Sequence, residues 1–350
     1  MINRDSQIPL YIQLADILRE KIHSGEIKEG EKLPSESEMI NTYHLGRLTI
    51  RDALSILVNE GLLEKHHGKG TFCKSSIIHP KHRIDVILNL SDISFTPYFL
   101  RSICGILESQ NVNIMLSDSQ NDTDSICTAL EKALNERSDG IIFQPTSTEN
   151  TASPKLCSIL DKLSNAHIPY IMIDTFYKNV PEAYVVMDDF KAGKMAADYF
   201  LGLGHTNLCM IEQEGAVDSN LRLEGFSSRC PVKPYIIKYD NNLYNSIKTM
   251  IRERSDITGI FCFDCMAKNC YDALNQLNVS IPDDISIISI DDTIIAQTLS
   301  PTLTSIIHPK EQLGHEAAKL LLSIIAGEIS WPQKKVFDPS IAIRKSCVAI

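Results

Sequence analysis

Two arginines, Arg47 and Arg51, are four positions apart in a run with helical periodicity. Their side chains therefore project from the same face of one helix. A guanidinium group placed this way can donate two parallel hydrogen bonds to O6 and N7 of guanine, and Thr49 can reach a phosphate or a thymine methyl group. The spacing predicts a surface that reads duplex DNA. The alternative is a solvated pair of arginines bound to Asp52 or Glu36.

A second set of polar and aromatic side chains follows the predicted strands of the larger part of the chain. In open parallel sheets, ligands bind beyond the carboxyl ends of the strands. Carboxylates at that edge suit a polyhydroxylated ligand, because each carboxylate accepts several hydrogen bonds from hydroxyl groups. For any single aspartate, the alternative is a cap on the next helix. The strand-end residues are Asp92, Phe95, Gln144, Asp174, Asp188, Asp189, Asp264, Asp291 and Asp292.

The 350-residue chain is long enough for two or three domains, and its 43% hydrophobic and 22% charged residues are typical of a globular protein. The net charge is −10, and the acidic excess lies in residues 75–350, so a DNA-binding surface is expected in residues 1–74. The polar start of the chain lacks the apolar run of a signal peptide, and the longest apolar stretches are too short to span a bilayer. The ten scattered cysteines are typical of a reducing compartment, so a cytoplasmic location is expected.

Residues 1–74 have the pattern of three helices followed by a two-stranded hairpin. Ser35 and Glu38 form a predicted capping box that opens the second helix, and Gly61 ends the third. A helix–turn–helix with a β-wing is a DNA-reading unit, in which the wing lies on the minor groove. Adjacent histidines in a strand point to opposite faces, so the wing is not expected to bind a metal. The predicted DNA contacts are Ser35, Arg47, Thr49, Arg51, Lys65, His66, His67, Gly68 and Lys69.

The order of residues in this segment resembles the winged helix of the GntR family over its whole length. The resemblance implies a winged helix–turn–helix that binds an operator. One departure is Gly46, where the family usually has a serine whose hydroxyl contacts a phosphate. The matching motifs are Leu33-Pro-Ser-Glu36, Gly46-Arg-Leu-Thr-Ile-Arg51, Leu57-Val-Asn-Glu-Gly-Leu62 and Gly68-Lys-Gly-Thr-Phe72.

Beyond a polar linker at residues 75–82, strands alternate with amphipathic helices, which predicts a doubly wound α/β architecture with two lobes and a cleft. This part resembles the LacI/GalR effector domain through motifs that include Val186-Met-Asp-Asp-Phe-Lys-Ala-Gly193, Arg222-Leu-Glu-Gly-Phe226 and Ile281-Pro-Asp-Asp-Ile-Ser286. The predicted strands are Ile84–Leu90, Val112–Leu116, Gly140–Phe143, Tyr170–Ile173, Tyr184–Met187, Asn207–Ile211, Tyr235–Lys238, Gly259–Phe263 and Ile285–Ile290.

The LacI/GalR resemblance implies a periplasmic-binding-protein fold that binds a small sugar or nucleoside between two lobes joined by three crossovers. The implied lobes are about residues 83–187 with 309–337, and residues 188–308 with 338–350. Phe263 departs from the family, which often has asparagine there, so its ring is expected to stack on the ligand. The implied effector contacts are Phe95, Gln144, Arg222, Phe263, Asp264, Asp291 and His308.

The chain lacks the sequence motifs of dinucleotide-binding, P-loop, zinc-peptidase and serine-hydrolase enzymes. Cys262 and Cys265 form a C-x-x-C pair without the second pair that a zinc knuckle needs. The chain is therefore expected to be neither an enzyme nor a metalloprotein, and no cofactor is expected.

Together, the two resemblances predict a regulator, most simply a repressor of sugar-utilisation genes, that releases its operator when L-arabinose or a similar sugar binds. A short half-site favours a homodimer on palindromic double-stranded DNA, with contacts mainly from the lobe nearer the linker. The open alternatives are an activator, a corepressor-dependent regulator, and a sensor of a nucleoside or a sugar phosphate. A sugar-binding protein or an enzyme with no role on DNA is a further alternative.

Overall fold

The computed structural model describes residues 2, 9–66, 69–74, 82–110, 112–240 and 242–350. The chain divides into two compact units, residues 1–81 and residues 82–350. The predicted linker at residues 75–82 lies outside the described residues except for His82, which begins a strand.

In its described residues, the first unit has three helices followed by a hairpin, as its pattern predicts. The capping box is confirmed, because the Ser35 hydroxyl accepts from the amide of Glu38 while the Glu38 carboxylate accepts from the amide of Ser35. Gly61 follows the third helix with φ +78°, a conformation that glycine adopts without a steric penalty. The elements are α1 (Leu10–His23), α2 (Glu36–Tyr43), α3 (Arg47–Asn59), β1 (Leu63–His66) and β2 (Gly70–Cys73).

The core of this unit is formed by the apolar faces of the three helices and the base of the hairpin. Leu14 and Leu18 of α1 and Leu54 of α3 are almost completely buried. At the base of the hairpin, Leu63 pairs with Cys73, and both side chains are buried. This packing holds the exposed face of α3 and the hairpin on one rigid scaffold.

The second unit alternates strands and helices around two six-stranded sheets. Its elements are β3 (His82–Leu88), α4 (Thr96–Ser109), β4 (Val112–Asp118), α5 (Thr123–Asn135), β5 (Gly140–Phe143), α6 (Pro154–Asn165), β6 (Tyr170–Ile173), β7 (Tyr184–Met187), α7 (Asp189–Gly202), β8 (Leu208–Glu212), α8 (Val217–Arg229), β9 (Tyr235–Lys238), α9 (Leu243–Glu253), β10 (Gly259–Phe263), α10 (Asp264–Gln276), β11 (Ser286–Asp291), α11 (Ile294–Thr298), β12 (Thr304–Ile307), α12 (Lys310–Ile325), β13 (Lys334–Phe337) and β14 (Ser340–Ala342).

Each sheet forms one lobe. The first sheet has the strand order β13-β7-β6-β5-β3-β4, with parallel pairing throughout. The second has the order β14-β12-β11-β10-β8-β9, in which only the edge pair β12–β14 is antiparallel. Helices α4, α5, α6 and α12 pack on the first sheet, and α7 to α11 pack on the second. The chain crosses between the sheets after β7, β12 and β13, so it makes the three crossovers that the resemblance implies.

The predicted fold class is confirmed, and the nine predicted strands of the second unit are all present with ends within two residues of those predicted. Strands β12, β13 and β14 were not predicted. They are short, and β13 and β14 lie at the sheet edges, where one side of the backbone is unpaired and the apolar run that marks a buried strand is absent. Within the described ranges, no helix is long and apolar enough to span a membrane.

Helices α7 and α8 are in contact at two glycines, and neither position has room for a Cβ atom. A Cβ atom on Gly193 would lie 1.9 Å from the carbonyl oxygen of Arg222, and one on Gly225 would lie 1.9 Å from that of Phe190. The two backbones are therefore in direct contact. This contact brings the side chain of Arg222 next to Asp189, the first residue of α7.

We predict that Gly193→Ala lowers the free energy of unfolding of the second unit by about 3 kcal/mol or more, because a backbone atom cannot move aside as a side chain can. Gly202→Ala, in the same helix, is the matched control, since a Cβ atom there meets nothing within 4 Å. It should change stability by less than about 1 kcal/mol. Urea unfolding measures both variants, and equal stability would contradict the close contact of the two helices.

Candidate functional site

Arg47 and Arg51 lie on one exposed face of α3, with 71% and 58% of their side chains accessible. Arg47 Nε donates a hydrogen bond to Oε2 of Glu36 at 3.3 Å, and Arg51 Nε donates one to Oε1 at 3.2 Å. Burial raises the pKa of Glu36, but the hydrogen bonds from Arg51 and Arg47 outweigh burial and hold it below its ordinary value. The ion pair of the alternative interpretation is thus present. Exposed pairs contribute at most about 1 kcal/mol, so guanine or phosphate can replace Glu36.

Two hydroxyl residues and a lysine lie in the same unit. The Ser35 oxygen accepts from the Glu38 amide, which leaves its O–H available as a donor to a phosphate. Thr49 is partly exposed in the first turn of α3, and Gly46 is its N-cap without a side-chain hydrogen bond. Lys32 is not among the residues that the sequence predicts to contact DNA, and it lies beside the wing. Its side chain crosses Gly70 of the wing, which no periodic pattern in the sequence could indicate.

Three of the predicted wing residues are exposed, namely Lys65, His66 and Lys69. The His66 ring is held by Nε2, which lies 2.7 Å from a carboxylate oxygen of Glu64. The Lys69 amide donates to the carbonyl of His66, which closes the hairpin. The other two predicted wing contacts, His67 and Gly68, lie outside the described residues.

A cleft of about 360 Å³ lies between the two lobes, where the carboxyl ends of the strands of both sheets meet. Strand order reverses beside β3 in the first sheet and beside β8 in the second, which is the position where such sheets bind ligands. Six of the seven predicted effector contacts line the cleft, and His308 contacts two lining residues. The residues of the lining that bear on its chemistry are Asp92, Phe95, Gln144, Asp174, Asp189, Asp218, Arg222, Phe263, Asp264 and Asp291.

Arg222 is the centre of the second lobe's side of the cleft. Its Nε donates to Asp189 at 2.8 Å and its Nη1 to Asp218 at 2.9 Å, and the residue is only 3% exposed. Its guanidinium lies 4.8 Å from the centre of the Phe263 ring. Arg222 therefore covers one face of that ring. Asp218 was missed because it follows no strand, although it stands one helical turn before Arg222.

On the first lobe's side of the cleft, the Asp174 carboxylate accepts hydrogen bonds from two polar side chains. His308 Nε2 lies 3.1 Å from one carboxylate oxygen, and Gln144 Nε2 donates to the other at 2.9 Å. Burial raises the pKa of Asp174, but the hydrogen bonds from His308 and Gln144 outweigh it and lower the pKa. Burial also lowers the pKa of His308, which favours the neutral ring. The Phe95 ring contacts the His308 ring edge to face, with centroids 4.9 Å apart.

Asp264 and Asp291 lie side by side but have different surroundings. Asp264 accepts four hydrogen bonds, from the hydroxyls of Ser289 and Ser305 and from the amide and hydroxyl of Thr293. These four bonds fill the acceptor positions of a carboxylate. Asp291 is 5% exposed, and its Oδ1 has no hydrogen-bond partner among the described residues.

Three of the strand-end aspartates serve the backbone or an ion pair. Asp188 caps α7 by accepting from the amide of Lys191, and Asp92 accepts from the amides of its own turn. Asp292 pairs with Arg344 at 2.6 Å. Asp188 is therefore a helix cap, which is the alternative to ligand binding that the sequence left open for a single strand-end aspartate. Asp92 still lines the cleft.

Comparison with known proteins adds the family. Residues 10–73 match the bacterial regulatory proteins of the gntR family, and residues 197–347 match the periplasmic binding protein-like domain. The arabinose metabolism transcriptional repressor of Geobacillus stearothermophilus is 31% identical over 98% of this chain and 99% of its own. The repressor of the same name from Halalkalibacterium halodurans is 28% identical over 94% of each chain. A ribose-bound LacI family regulator from Enterococcus faecalis matches 77% of this chain and 99% of its own, with 25% identity and a TM-score of 0.65.

A GntR winged helix joined to a two-lobed, LacI-type sensing fold defines a DNA-binding transcriptional regulator rather than an enzyme. Both resemblances seen in the sequence are confirmed. The sequence relatives cover nearly all of this chain, so they share both of its domains. The chain belongs to the family of arabinose metabolism transcriptional repressors.

The buried carboxyl of Asp291 predicts a pH-dependent stability. Burial raises the pKa of Asp291 to about 7, although Arg222 acts to lower it. In the unfolded chain the pKa is about 3.9, so between these values the folded state holds a proton that the unfolded state has lost. The stability that this proton contributes is complete below about pH 4 and is lost as the pH rises through about 7.

We therefore expect wild type to lose about 2 kcal/mol more unfolding free energy than Asp291→Asn between pH 5 and pH 8. Urea unfolding at the two pH values measures the difference. Asp283→Asn, at an exposed position, is the control and should follow wild type. The prediction is wrong if Asp291→Asn shows the same pH dependence as wild type.

Proposed function

We propose that this repressor binds L-arabinose or a similar small sugar in the cleft, and that the bound sugar releases operator DNA. One observation carries the choice of ligand. Asp291 Oδ1, on a residue of the cleft lining, is a buried acceptor without a hydrogen-bond partner among the described residues, and so is Nδ1 of His308, which contacts the lining residues Phe95 and Asp174. Buried polar atoms are costly when unpaired, so a ligand that brings donors gains affinity from both.

The tautomer of the neutral His308 ring makes its Nδ1 an acceptor. The Asp174 carboxylate can only accept, so Nε2 of the neutral ring carries the hydrogen and Nδ1 has a lone pair. Sugar hydroxyls can donate to Nδ1 and to Asp291, and Arg222 can donate to a ring or hydroxyl oxygen. The C–H face of a sugar can pack on Phe95. A cation already lies over each of the two candidate stacking rings, Arg222 over Phe263 and Lys310 over Phe95, both 4.8 Å from the ring centre.

The charge of the cleft disfavours an anionic effector. Six aspartates line it, and Arg222 already binds two of them. A phosphate group would have to approach these carboxylates without a cluster of cations. A neutral polyol has no such penalty. The names of the two repressor relatives refer to arabinose metabolism, and the Enterococcus faecalis structure holds ribose, so a pentose is the first choice.

We assign DNA binding to residues 1–74, with Arg47 and Arg51 on guanine and with Thr49, Ser35 and the wing on the backbone. Residues 75–82 are the proposed linker, and residues 83–350 form the sensing and dimerisation domain. A single winged helix reads too few base pairs for useful specificity, which favours a homodimer on a palindromic operator. Since relatives over the whole chain are DNA-binding repressors, we place the protein in the cytoplasm.

The proposed switch is a shift between two arrangements of the lobes. The sugar contacts both lobes, so it favours the arrangement in which they close around it. It can change operator affinity only through its different affinity for the two arrangements, a coupling of about 1–3 kcal/mol in comparable systems.

A thermal-shift scan against pentoses, hexoses, disaccharides, nucleosides and sugar phosphates tests the ligand class. A ligand at about 100 times its dissociation constant stabilises the folded state by roughly 2.7 kcal/mol. We expect a pentose to give the largest shift. A shift with a nucleoside or a sugar phosphate alone would overturn the sugar assignment. A separate measurement of operator affinity with the effector present identifies a corepressor if the affinity rises.

Single substitutions in the two units should impair operator binding and sugar binding independently. Arg47→Ala removes a predicted guanine contact, so operator binding should fall by at least tenfold while sugar affinity is retained. Asp291→Ala removes a buried acceptor, so sugar affinity should fall by at least tenfold while operator binding is retained. Fluorescence anisotropy with operator DNA and calorimetry with the sugar measure the two affinities. Loss of both activities in both variants would refute the assignment of two separate modules.

A further inference from the structure

Lys310 is a buried cation beside the cleft that neither the sequence motifs nor the proposed sugar contacts include. It is the first residue of α12, two positions after His308, and is 7% exposed. Its ammonium lies 4.8 Å from the centre of the Phe95 ring and 5.8 Å from that of Tyr98. Both distances are within the range of cation–π attraction. The first lobe thus supplies both aromatic contacts of this ammonium.

The hydrogen bond of the ammonium goes to the other lobe. Lys310 Nζ donates to the main-chain carbonyl of Asp291, the last residue of β11. Among the described residues, no carboxylate oxygen lies within 4.0 Å of Nζ. Nearby carboxylates, Asp291 first, attract the ammonium and offset part of the cost of its desolvation, yet its hydrogen bond goes to a main-chain carbonyl. Its position therefore calls for a specific role.

The carbonyl that Lys310 binds belongs to a strained turn. Asp291 has φ +106° and Asp292 has φ +49°, values that residues other than glycine rarely adopt. Such a conformation is strained and persists only where the surroundings enforce it. The bond from Lys310 is made to the peptide group between these two residues.

The other groups that hold this turn come from the second lobe. Ser305 accepts from the amide of Asp292, Arg344 binds the Asp292 carboxylate, and Asp264 binds Thr293. Lys310 differs from them because α12 packs in the core of the first lobe. Among the side chains of the described residues that bind the turn, Lys310 comes from the first lobe and the others come from the second.

We propose that Lys310 is a positioning residue that connects the Asp291 turn to the first lobe. It orients the unpaired Oδ1 of Asp291 without touching the effector, and it makes that orientation depend on how the lobes are arranged. The consequence for effector binding rests on the proposed function, whereas the positioning of the turn does not.

A cycle of variants without ligand tests the positioning. Lys310→Met should lower the unfolding free energy of the wild-type protein, because the strained turn loses its anchor. Asp291→Asn and Asp291→Gly both remove the charge that attracts Lys310, and in the glycine background the same substitution should cost less than half of what it costs in the asparagine background, since glycine adopts a positive φ without strain. Equal costs in the two backgrounds would overturn the proposal.

A second cycle with L-arabinose tests the effect on the site. Calorimetry should show at least tenfold weaker binding for Lys310→Met and partial recovery for Lys310→Arg, which keeps the charge. In an Asp291→Asn background, Lys310→Met should weaken binding by less than twofold, since Lys310 acts through Asp291. Lys319→Met, on the exposed face of α12, is the control and should bind as wild type does.

The two cycles separate the possible failures. If Lys310→Met weakens L-arabinose equally in both backgrounds, Lys310 does not act through Asp291 and the proposal is wrong. If wild type does not bind L-arabinose or another sugar of the panel, the proposed function fails. The unfolding cycle then decides the role of Lys310 by itself.

Discussion

The cleft depends on one physical constraint: a carboxylate that is removed from water must receive hydrogen bonds or a counter-charge. The structure meets this constraint differently at each aspartate. Arg222 neutralises Asp189 and its neighbour Asp218, while Asp264 is satisfied by hydroxyl and amide donors of its own lobe. At Asp291 the charges of Arg222 and Lys310 meet the constraint only in part, because its buried Oδ1 has no hydrogen-bond partner among the described residues. A ligand rich in donors completes the arrangement.

This constraint also links the fold to the switch. The donors and acceptors belong to two lobes that the chain joins at three crossovers, so a ligand that satisfies both sides stabilises one arrangement of the lobes. His308 lies on the crossover between β12 and α12, and Lys310 stands two positions after it. The close contact of α7 with α8 supports the other side, because it holds Arg222 against Asp189. Binding chemistry and domain movement therefore use the same few residues.

The sequence predicts this architecture well where the pattern is strong. The apolar runs of the parallel strands and the capping box at Ser35 are local signals, and the structure confirms them. Edge strands such as β13 were missed, because half of their surface faces solvent. Strand-end position suggested that Asp188 and Asp189 were equivalent, yet one caps a helix and the other binds Arg222. That difference, like the position of Lys310, arises from three-dimensional packing that no spacing in the sequence encodes.

The central claim is that sugar and operator binding are coupled through one protein. The most direct test is the affinity of wild type for L-arabinose with and without saturating operator DNA, together with the affinity for the operator with and without saturating L-arabinose. Thermodynamic linkage requires both affinities to fall by the same factor, roughly 5- to 150-fold for typical coupling energies. Two affinities that are each independent of the other ligand would contradict the account, even if both ligands bind.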